Sequence, residues 1–310
     1  MLKYTLARLV HALPVLFSIS VGSFILIHLV PGDPARIALG PHAPLSEIAA
    51  LKRQLGLDRP LIDQYLSFLG GAVKLSFGES LTYREPVRGL ITARLGMTFL
   101  LMAYSLVLSV AITVPLAVLA AVKRERLADH AIRLVGMAFF VMPWFWLGLL
   151  LALIFGLELG WLPTGGYASG IGGAIRSLTL PALTLALAMA PLFLRSLRAS
   201  IILTLDSGFV EAARARGLSD RRILYRHVLR NASISTVTLI GITIGGLVSG
   251  TVVVEQVFAL HGLGPLLVSS VSARDFPTIQ GIVLVMAATV VAINLLTDLA
   301  YAAIDPRVRL

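Results

Sequence analysis

The chain has 310 residues, of which 57% are hydrophobic and only 14% are charged, and its mean hydropathy is +0.89. Soluble domains carry about 25% charged residues, so this composition excludes a soluble domain and indicates a protein with several membrane spans. The formal net charge of +10 is expected to anchor cytoplasmic loops rather than to bind nucleic acid. Because cysteine is absent, disulfides, thiolate metal ligands and a cysteine nucleophile are excluded.

Six apolar segments of 17–27 residues are long enough for a helix to cross a bilayer, which takes about 20 residues. They cover residues 9–30, 96–122, 134–157, 178–194, 234–257 and 279–304. No small-residue cleavage site follows the first segment, so we expect an uncleaved span rather than a secretory signal. The predicted fold class is therefore all-α, a polytopic helical membrane bundle.

Basic residues alternate between the connections that join these segments. Residues 123–126 carry three basic side chains and residues 207–233 carry six arginines, whereas residues 158–177 and 258–278 carry one each. Since cytoplasmic loops are enriched in lysine and arginine, the two basic connections and both termini are predicted to be cytoplasmic.

Residues 207–233 form an arginine-rich island between two apolar segments, and we call them the island. Ser207 is a good N-cap type for a short helix, Glu211 lies in its first turn, and Gly217 is expected to end it. Ser219 then begins a second helix. Its apolar face is predicted to consist of Ile223, Leu224, His227 and Val228. The pattern predicts a polar helical segment that protrudes at the membrane surface (the knob) and can bind a cytoplasmic partner.

The connection at residues 31–95 is predicted to lie outside the membrane and is far longer than usual, which favours a functional role. The turn Pro31-Gly32-Asp33-Pro34 is expected to end the first span. A short helix is predicted after Ser46, closed by Gly56, and a second after Pro60. Their apolar faces are predicted to be Ile48, Leu51 and Leu55 in the first helix, and Leu61, Ile62, Tyr65, Leu66 and Leu69 in the second.

Two sets of residues are candidates for a pore or a gate. In the fifth span, the pairs Gly241/Gly245 and Gly246/Gly250 have the GxxxG spacing that lets helix backbones approach closely. Either they pack the span within the subunit, or they let it slide against a counterpart along a pore. Asn294 and Asp298 share one face of the last span and either line a polar passage or make an interhelical hydrogen bond.

The remaining ionisable residues argue against a gradient-driven carrier. Glu255 lies close to the end of a span and is expected to anchor at the membrane interface. No acidic residue lies at mid-span, where a proton- or sodium-driven carrier is expected to have one.

The sequence also lacks motifs for chemistry. GxxxxGK[ST], HExxH and GxSxG are all absent. We therefore expect no catalytic residue, metal site or cofactor site, and no enzyme activity in this chain alone.

Glu211-Ala212-Ala213 with Gly217 four positions later resembles the EAA signature of permease subunits of ABC importers. That pattern closes with Ile-x-Leu-Pro, of which only Leu229 agrees here. The segment RHVLRNA resembles the corresponding sequence in the peptide-permease branch, whose members import dipeptides, oligopeptides, glutathione or nickel. The resemblance implies that the island is a coupling helix, with Glu211, Ala212, Ala213, Gly217 and Leu229 contacting an ATPase.

Short sequence motifs that resemble those of this branch occur in order along the whole chain. They are HLVPGDP (28–34), LGLDRPLIDQY (55–65), SFGES (76–80), GWLPTGG (160–166), VVVEQVFALHGLGPLL (252–267), RDFPTIQG (274–281) and DLAYAAIDPRVR (298–309). The resemblance implies three parts: a first span at residues 1–30, an external cap at 31–95 and a permease core at 96–310. The cap is then either a neighbour of the docked binding protein or a simple lid.

The resemblance further implies the setting in which this chain works. Such a permease lies in a bacterial inner membrane with a second homologous permease, two cytoplasmic ATPases that bind ATP and magnesium, and an external solute-binding protein. The alternative from another class is a stand-alone secondary carrier or channel, in which the island is only a positively charged anchor.

Overall fold

The computed structural model describes residues 2–29, 34–40, 42–54 and 56–304. Within these residues the chain is helical apart from turns and one isolated antiparallel bridge between Glu79 and Pro86, which confirms the all-α class. Two predicted features, the turn at residues 31–33 and the apolar position 55, lie outside the described residues.

The helices follow one another along the chain with short connections. They are α1 (Leu2–Leu29), α2 (Pro34–Leu39), α3 (Leu45–Gln54), α4 (Leu61–Val73), α5 (Val87–Val122), α6 (Leu127–Val141), α7 (Trp144–Leu151), α8 (Ile171–Leu205), α9 (Gly208–Ala215), α10 (Asp220–Arg222), α11 (Leu229–Val257), α12 (Leu263–Ser272) and α13 (Phe276–Ile304). Two π-helical segments, Ala152–Glu158 and Ile223–Val228, continue α7 and join α10 to α11.

Four of the described helical stretches are long and apolar enough to cross a bilayer, and a fifth is added if a bent pair counts as one span. The four are α5, α8, Asp220–Val257 and Phe276–Thr297 of α13. The multi-span architecture is thus confirmed, while the count of six stays a prediction.

The third predicted span, residues 134–157, is not one continuous helix. It consists of α6 and then α7 with its π-helical continuation, and the two halves are bent by 110°. The break lies at Pro143, which has no N–H to donate and whose ring clashes with the carbonyl four residues earlier. Met142 before it is extended, with φ −66° and ψ 131°, as expected for a residue that precedes proline.

Several helices extend beyond the apolar segments that predicted them. α8 has 35 residues rather than the 17 of the predicted span 178–194. Its C-terminal half continues because Leu197 and Ile201 are buried against neighbouring helices, so that packing stabilises a stretch that is too polar for the membrane core. α12 was not predicted, because the connection at 258–278 was treated as one loop.

Both helices predicted within the connection at residues 31–95 are present as α3 and α4. α3 begins at Leu45, one residue before the predicted cap, and Gly56 adopts the left-handed conformation (φ +67°) expected of a helix stop. The packing face of α4 agrees with the prediction at Tyr65 but not at Leu61, Ile62 and Leu66. The Tyr65 ring packs edge-on against Phe24 of α1, and its hydroxyl lies 2.8 Å from Ser20 Oγ. The predicted face residues Leu61, Ile62 and Leu66 are exposed instead.

The chain divides into two compact units. The N-terminal unit comprises Leu2–Thr98 and His261–Ala292, and the central unit comprises Phe99–Leu260 and the end of α13 from Ile293. In the central unit, α8 packs against α6, α7 and α11 and is buried along most of its length. The predicted division into residues 1–30, 31–95 and 96–310 stays a prediction.

A fully buried carboxylate ties two distant segments of the N-terminal unit together. Asp275 accepts hydrogen bonds from the Leu81 N–H (3.1 Å), from Thr278 Oγ1 (2.8 Å) and from the Ser80 hydroxyl. Ser80 Oγ in turn accepts one from the Tyr83 N–H at 2.9 Å. The network therefore fixes residues 80–83 against the N-terminal end of α13.

The same two segments also meet through a close apolar contact. A Cβ on Gly281 would lie 2.8 Å from Val87 and 3.1 Å from Phe77, so only glycine fits there without displacement. The segments SFGES and RDFPTIQG thus form one structural element. They are separated by almost 200 residues in the sequence.

Asp275→Asn is expected to loosen this element. The amide presents N–H groups where the carboxylate accepted, which leaves at least one buried donor unsatisfied at a cost of about 1–3 kcal/mol. We expect a lower melting temperature in mild detergent and faster proteolysis within residues 76–86. Asp63→Asn, at an exposed position of α4, is the control and should change neither. Equal behaviour of the two variants would contradict the role assigned to Asp275.

Candidate coupling and transport surfaces

The first helix of the island has well-defined ends. Ser207 occupies the N-cap position with extended backbone, but its hydroxyl donates to the Thr204 carbonyl at 2.5 Å and makes no cap bond. At the other end, Gly217 has φ +80°. The Gly217 N–H donates to the Arg214 carbonyl (2.9 Å) and the Leu218 N–H to the Ala213 carbonyl (3.2 Å), which is a complete Schellman motif. The predicted helix and its glycine stop are confirmed.

The second half of the island is wound as a π-helix rather than as the α-helix that was predicted. In a π-helix each carbonyl bonds five residues ahead, so residues i and i+5 come to the same side. Ile223 and Val228 have this spacing, and both are buried. Arg221, Arg222, Arg226 and Arg230 are exposed, as the sequence predicted.

The inner side of the island is built into the core of the central unit. Val210 of α9 and Ile223 and Val228 of the π-helix are at most 1% exposed. They pack in one cluster with residues from the ends of α5, α8 and α11, namely Ala117, Ala121, Leu194, Leu197, Ile201 and Ala232. Burying one such aliphatic side chain completely is worth about 1.5–3 kcal/mol. The island is therefore fastened to three long helices at once.

The outer side of the island carries three of the five predicted coupling residues. Glu211, Ala212 and Gly217 are exposed, whereas Ala213 and Leu229 are half-buried and pack against the inner cluster. Phe209 also lies on the outer side and is 45% exposed. Sequence reasoning missed this aromatic residue, although an apolar residue beside a cap in a polar island is the signal that could have found it.

A buried ion pair fixes α6 to α8. Asp129 is fully buried, and Arg198 donates to both of its carboxylate oxygens, from Nε at 2.7 Å and from Nη2 at 2.5 Å. The Glu125 N–H donates to the same carboxylate at 3.0 Å. Arg133 approaches to 3.4 Å, but its side chain is 46% exposed. The pair was not foreseen, since the sequence does not indicate which arginine faces Asp129.

The four candidate glycines of α11 lie on two different faces. Gly241 and Gly250 are buried, and an added Cβ would overlap Thr297 of α13 and Trp144 of α7, respectively. Gly246 is exposed with nothing within 4 Å of an added Cβ, and Gly245 is half-buried. Two of the glycines thus permit close packing within the subunit, and two lie at or beside an open face.

The open face of α11 is a regular stripe. From Ser235 onward its exposed positions recur at steps of seven, four and three residues and are Ser235, Ile242, Gly246, Ser249, Val253 and Gln256. This is the spacing of one seam of a helix that packs on another helix. Since four of the six are small or polar, the stripe differs from a lipid-facing surface, which is uniformly apolar.

Two further ionisable or polar candidates lie in different surroundings. Asn294 is exposed and makes no hydrogen bond with the described residues, and the side chain of Asp298 lies outside them. Glu255 was expected to anchor at the membrane interface, but its side chain is fully buried in the central unit. The prediction for Glu255 is wrong because the chain folds back over the end of α11, where Phe258 and Leu260 are also buried.

Two family models match almost the whole chain. The model described as the binding-protein-dependent transport system inner membrane component matches residues 113–310, and its N-terminal companion matches residues 1–102. The chain belongs to this family. This match confirms the resemblance to permeases that the EAA-like island and the motifs along the chain indicated.

Curated relatives are similar over their full length. A Brucella ovis protein named as a peptide permease is 41% identical over 317 aligned residues, which cover 100% of this chain and 99% of the relative. The glutathione transport system permease protein GsiC of Escherichia coli K12 is 40% identical over 309 residues, with the same coverage. These relatives place the chain in the peptide and glutathione branch of ABC permeases.

Solved structures share the fold. The inward-facing MetNI methionine ABC transporter contains a chain that superposes with a TM-score of 0.59 at 19% identity, covering 70% of this chain and 96% of that one. The permease is thus a multi-pass inner-membrane subunit of an ABC importer. The alternative of a stand-alone carrier or channel finds no support in these relatives.

Asp129→Asn is expected to destabilise the permease, because it leaves the Arg198 guanidinium without its charged partner. Breaking a buried ion pair costs about 3–5 kcal/mol, and the amide retains part of the hydrogen bonding, so the lower end is expected. Arg133→Gln removes only an exposed contact and should cost about 0–1 kcal/mol. Thermal unfolding in detergent measures both. Similar shifts for the two variants would disprove the central place of the Asp129–Arg198 pair.

Proposed function

We propose that this permease forms the translocation path of an importer for peptides or a related small solute such as glutathione. It does so with a second homologous permease, two cytoplasmic ATPases that bind ATP and magnesium, and an external solute-binding protein. The names of the full-length relatives support the solute class. In this proposal the permease itself hydrolyses nothing, in keeping with the absence of a phosphate-binding loop from its sequence.

The island is the coupling element in this proposal, and the observation that carries it is the two-sided construction of α9. Its outer side presents Phe209, Glu211 and Ala212 to a partner, while Val210 on its inner side is locked into the core. An exposed aromatic surrounded by small and charged residues is a typical anchor for a protein interface. A displacement of α9 by a bound partner would therefore also displace the ends of α5, α8 and α11.

The open stripe of α11 is proposed to face the second permease and the solute path. Gly245 and Gly246 would let the facing helices approach and shift, and Gly241 and Gly250 hold α11 in its own subunit. Asn294 and Asp298 are proposed to contribute to the polar lining from α13. This assignment explains why glycines with the same spacing lie in such different surroundings.

The charge distribution supports an orientation. Both termini and the island are proposed to be cytoplasmic, since the island alone carries six arginines. The connection at residues 31–95 then lies outside, where α3 and α4 form the helical cap. We place the cap beside the docked binding protein, in keeping with the exposed apolar residues Leu61, Ile62 and Leu66 on α4.

An affinity pull-down of the permease in mild detergent tests the assembly. With wild type, we expect mass spectrometry to identify an ATPase with a phosphate-binding loop and a second multi-span permease. Phe209→Ala should lower the recovered ATPase several-fold without loss of the second permease, because it removes the aromatic anchor. Recovery of the wild-type chain alone, folded and in reproducible amounts, would refute the importer proposal.

Gly217→Val is expected to uncouple ATP hydrolysis from transport. The left-handed backbone at this position costs a β-branched residue about 1–2 kcal/mol, so the Schellman motif opens and α9 loses its fixed end. Solute uptake should fall several-fold at normal membrane levels, and the ATPase activity of the reconstituted complex should no longer respond to the loaded binding protein.

Two variants separate backbone conformation from side-chain bulk. Gly217→Asn should retain most of the uptake, since asparagine tolerates the left-handed conformation. Gly208→Ala at the start of α9, where nothing lies within 4 Å of an added Cβ, should behave like wild type. Normal uptake by Gly217→Val would refute the coupling role of this turn.

A further inference from the structure

The central unit contains a cavity that the proposed function does not use. It has a volume of about 350 Å³ and lies between α5, α8, the π-helix of the island and the first turns of α11. Its walls are aliphatic and aromatic side chains, namely Val110, Val114, Phe193, Leu197, Val237 and Ile240. One end of the cavity is lined by Tyr225, Arg230 and Ser233. The cavity is therefore apolar along its walls and carries a positive charge at this end.

The length of the cavity matches one leaflet of a membrane. Arg230 and Ile240 both line it and are ten residues apart on one continuous helix, which corresponds to about 15 Å. The hydrocarbon core of a bilayer is about 30 Å thick, so one leaflet contributes about 15 Å. Arg230 belongs to the island at the membrane surface, which places the apolar walls at the depth of an acyl chain.

One buried hydroxyl in the wall has no partner. Thr236 is 6% exposed, lines the cavity, and its Oγ1 makes no hydrogen bond within the described part of the chain. A helical threonine usually returns its hydroxyl to the carbonyl four residues earlier, as Thr238 does to Ile234 at 3.1 Å on the same helix. The Thr236 Oγ1 is itself buried and closed off from the cavity, so it adds no polar group to the apolar wall.

From these observations we infer that the cavity is a binding site for an anionic phospholipid. One acyl chain lies along the apolar walls, and the phosphate binds the Arg230 guanidinium near the Tyr225 hydroxyl. Arg226 adds positive charge nearby, and none of the described residues that line the cavity is acidic. Basic pockets between membrane helices at the cytoplasmic surface favour anionic headgroups in this way.

The walls distinguish a lipid from the transported solute. A peptide carries two charged ends and several amide groups, and an apolar wall of this length would leave those groups unsatisfied. An acyl chain needs no hydrogen bonds and fills the same walls without penalty. The single cation at one end and the long apolar wall therefore fit an amphipathic anion.

Native mass spectrometry of the full chain tests this inference. After delipidation in detergent, the permease is offered equal amounts of phosphatidylglycerol and phosphatidylcholine with identical acyl chains. We expect wild type to retain phosphatidylglycerol about fivefold more, which corresponds to about 1 kcal/mol for one arginine near an anionic headgroup. Arg230→Gln should abolish this preference, and Arg222→Gln, at an exposed arginine outside the cavity, should leave it unchanged.

The melting temperature supplies a second measurement that does not depend on retained lipid. The rise in melting temperature on adding phosphatidylglycerol should be smaller for Arg230→Gln than for wild type, because the contact with the phosphate is lost.

Three outcomes would overturn the inference. The first is equal retention of the two lipids by wild type, and the second is the same loss of preference in Arg222→Gln as in Arg230→Gln. The third is displacement of phosphatidylglycerol by glutathione, a dipeptide or a co-purifying second permease, which would assign the cavity to the solute path or to a subunit interface.

Discussion

The apolar cluster beneath the island is the constraint on which the coupling role depends. A polar knob on a flexible tether would follow any movement of a partner without moving the membrane helices. Here Val210, Ile223 and Val228 are buried among side chains from α5, α8 and α11, so the knob and the helix ends form one packed body. Packed cores shift between discrete arrangements rather than deform gradually, and a displacement of α9 must therefore displace the ends of three helices.

Electrostatics reinforces this body at one point and contributes little elsewhere. The Asp129–Arg198 pair is buried and doubly hydrogen-bonded, so its geometry is fixed and separation of α6 from α8 would expose an unpaired charge. By contrast, the Arg214–Asp220 pair within the island, at 3.0 Å, is mostly exposed and is worth about 0–1 kcal/mol. The island is therefore held by apolar packing, and its charges remain available for partners and lipid headgroups.

Hydropathy and glycine positions predicted the parts of this fold that depend on local chemistry. The island helix with its stop at Gly217, the helices of the external connection and most of the spans are of this kind. The sequence predicts one span at residues 134–157 and does not give the bend at Pro143, because the effect of proline depends on how the two halves pack. The burial of Glu255 and the pairing of Ser80 with Asp275 arise from contacts between remote segments, which no local pattern encodes. The same limit applies to the glycines of α11, since identical spacings gave no sign that Gly250 faces Trp144 and Gly246 faces outward.

The composition of the open stripe of α11 bears on which subunit of such an importer recognises the solute and which one lets it pass. None of the six stripe residues carries a charge, so a peptide that passes along them meets no counter-charge for either of its termini. A transport path must bind its solute weakly enough to release it, and small polar side chains such as Ser235, Ser249 and Gln256 suit that requirement. Recognition of the charged ends then falls to a protein that can close around the solute in water, where binding and release are separate steps. An uncharged stripe and an external binding protein would thus be two consequences of the same physical demand. The exposed arginines of the island, Arg221, Arg222, Arg226 and Arg230, lie outside the stripe.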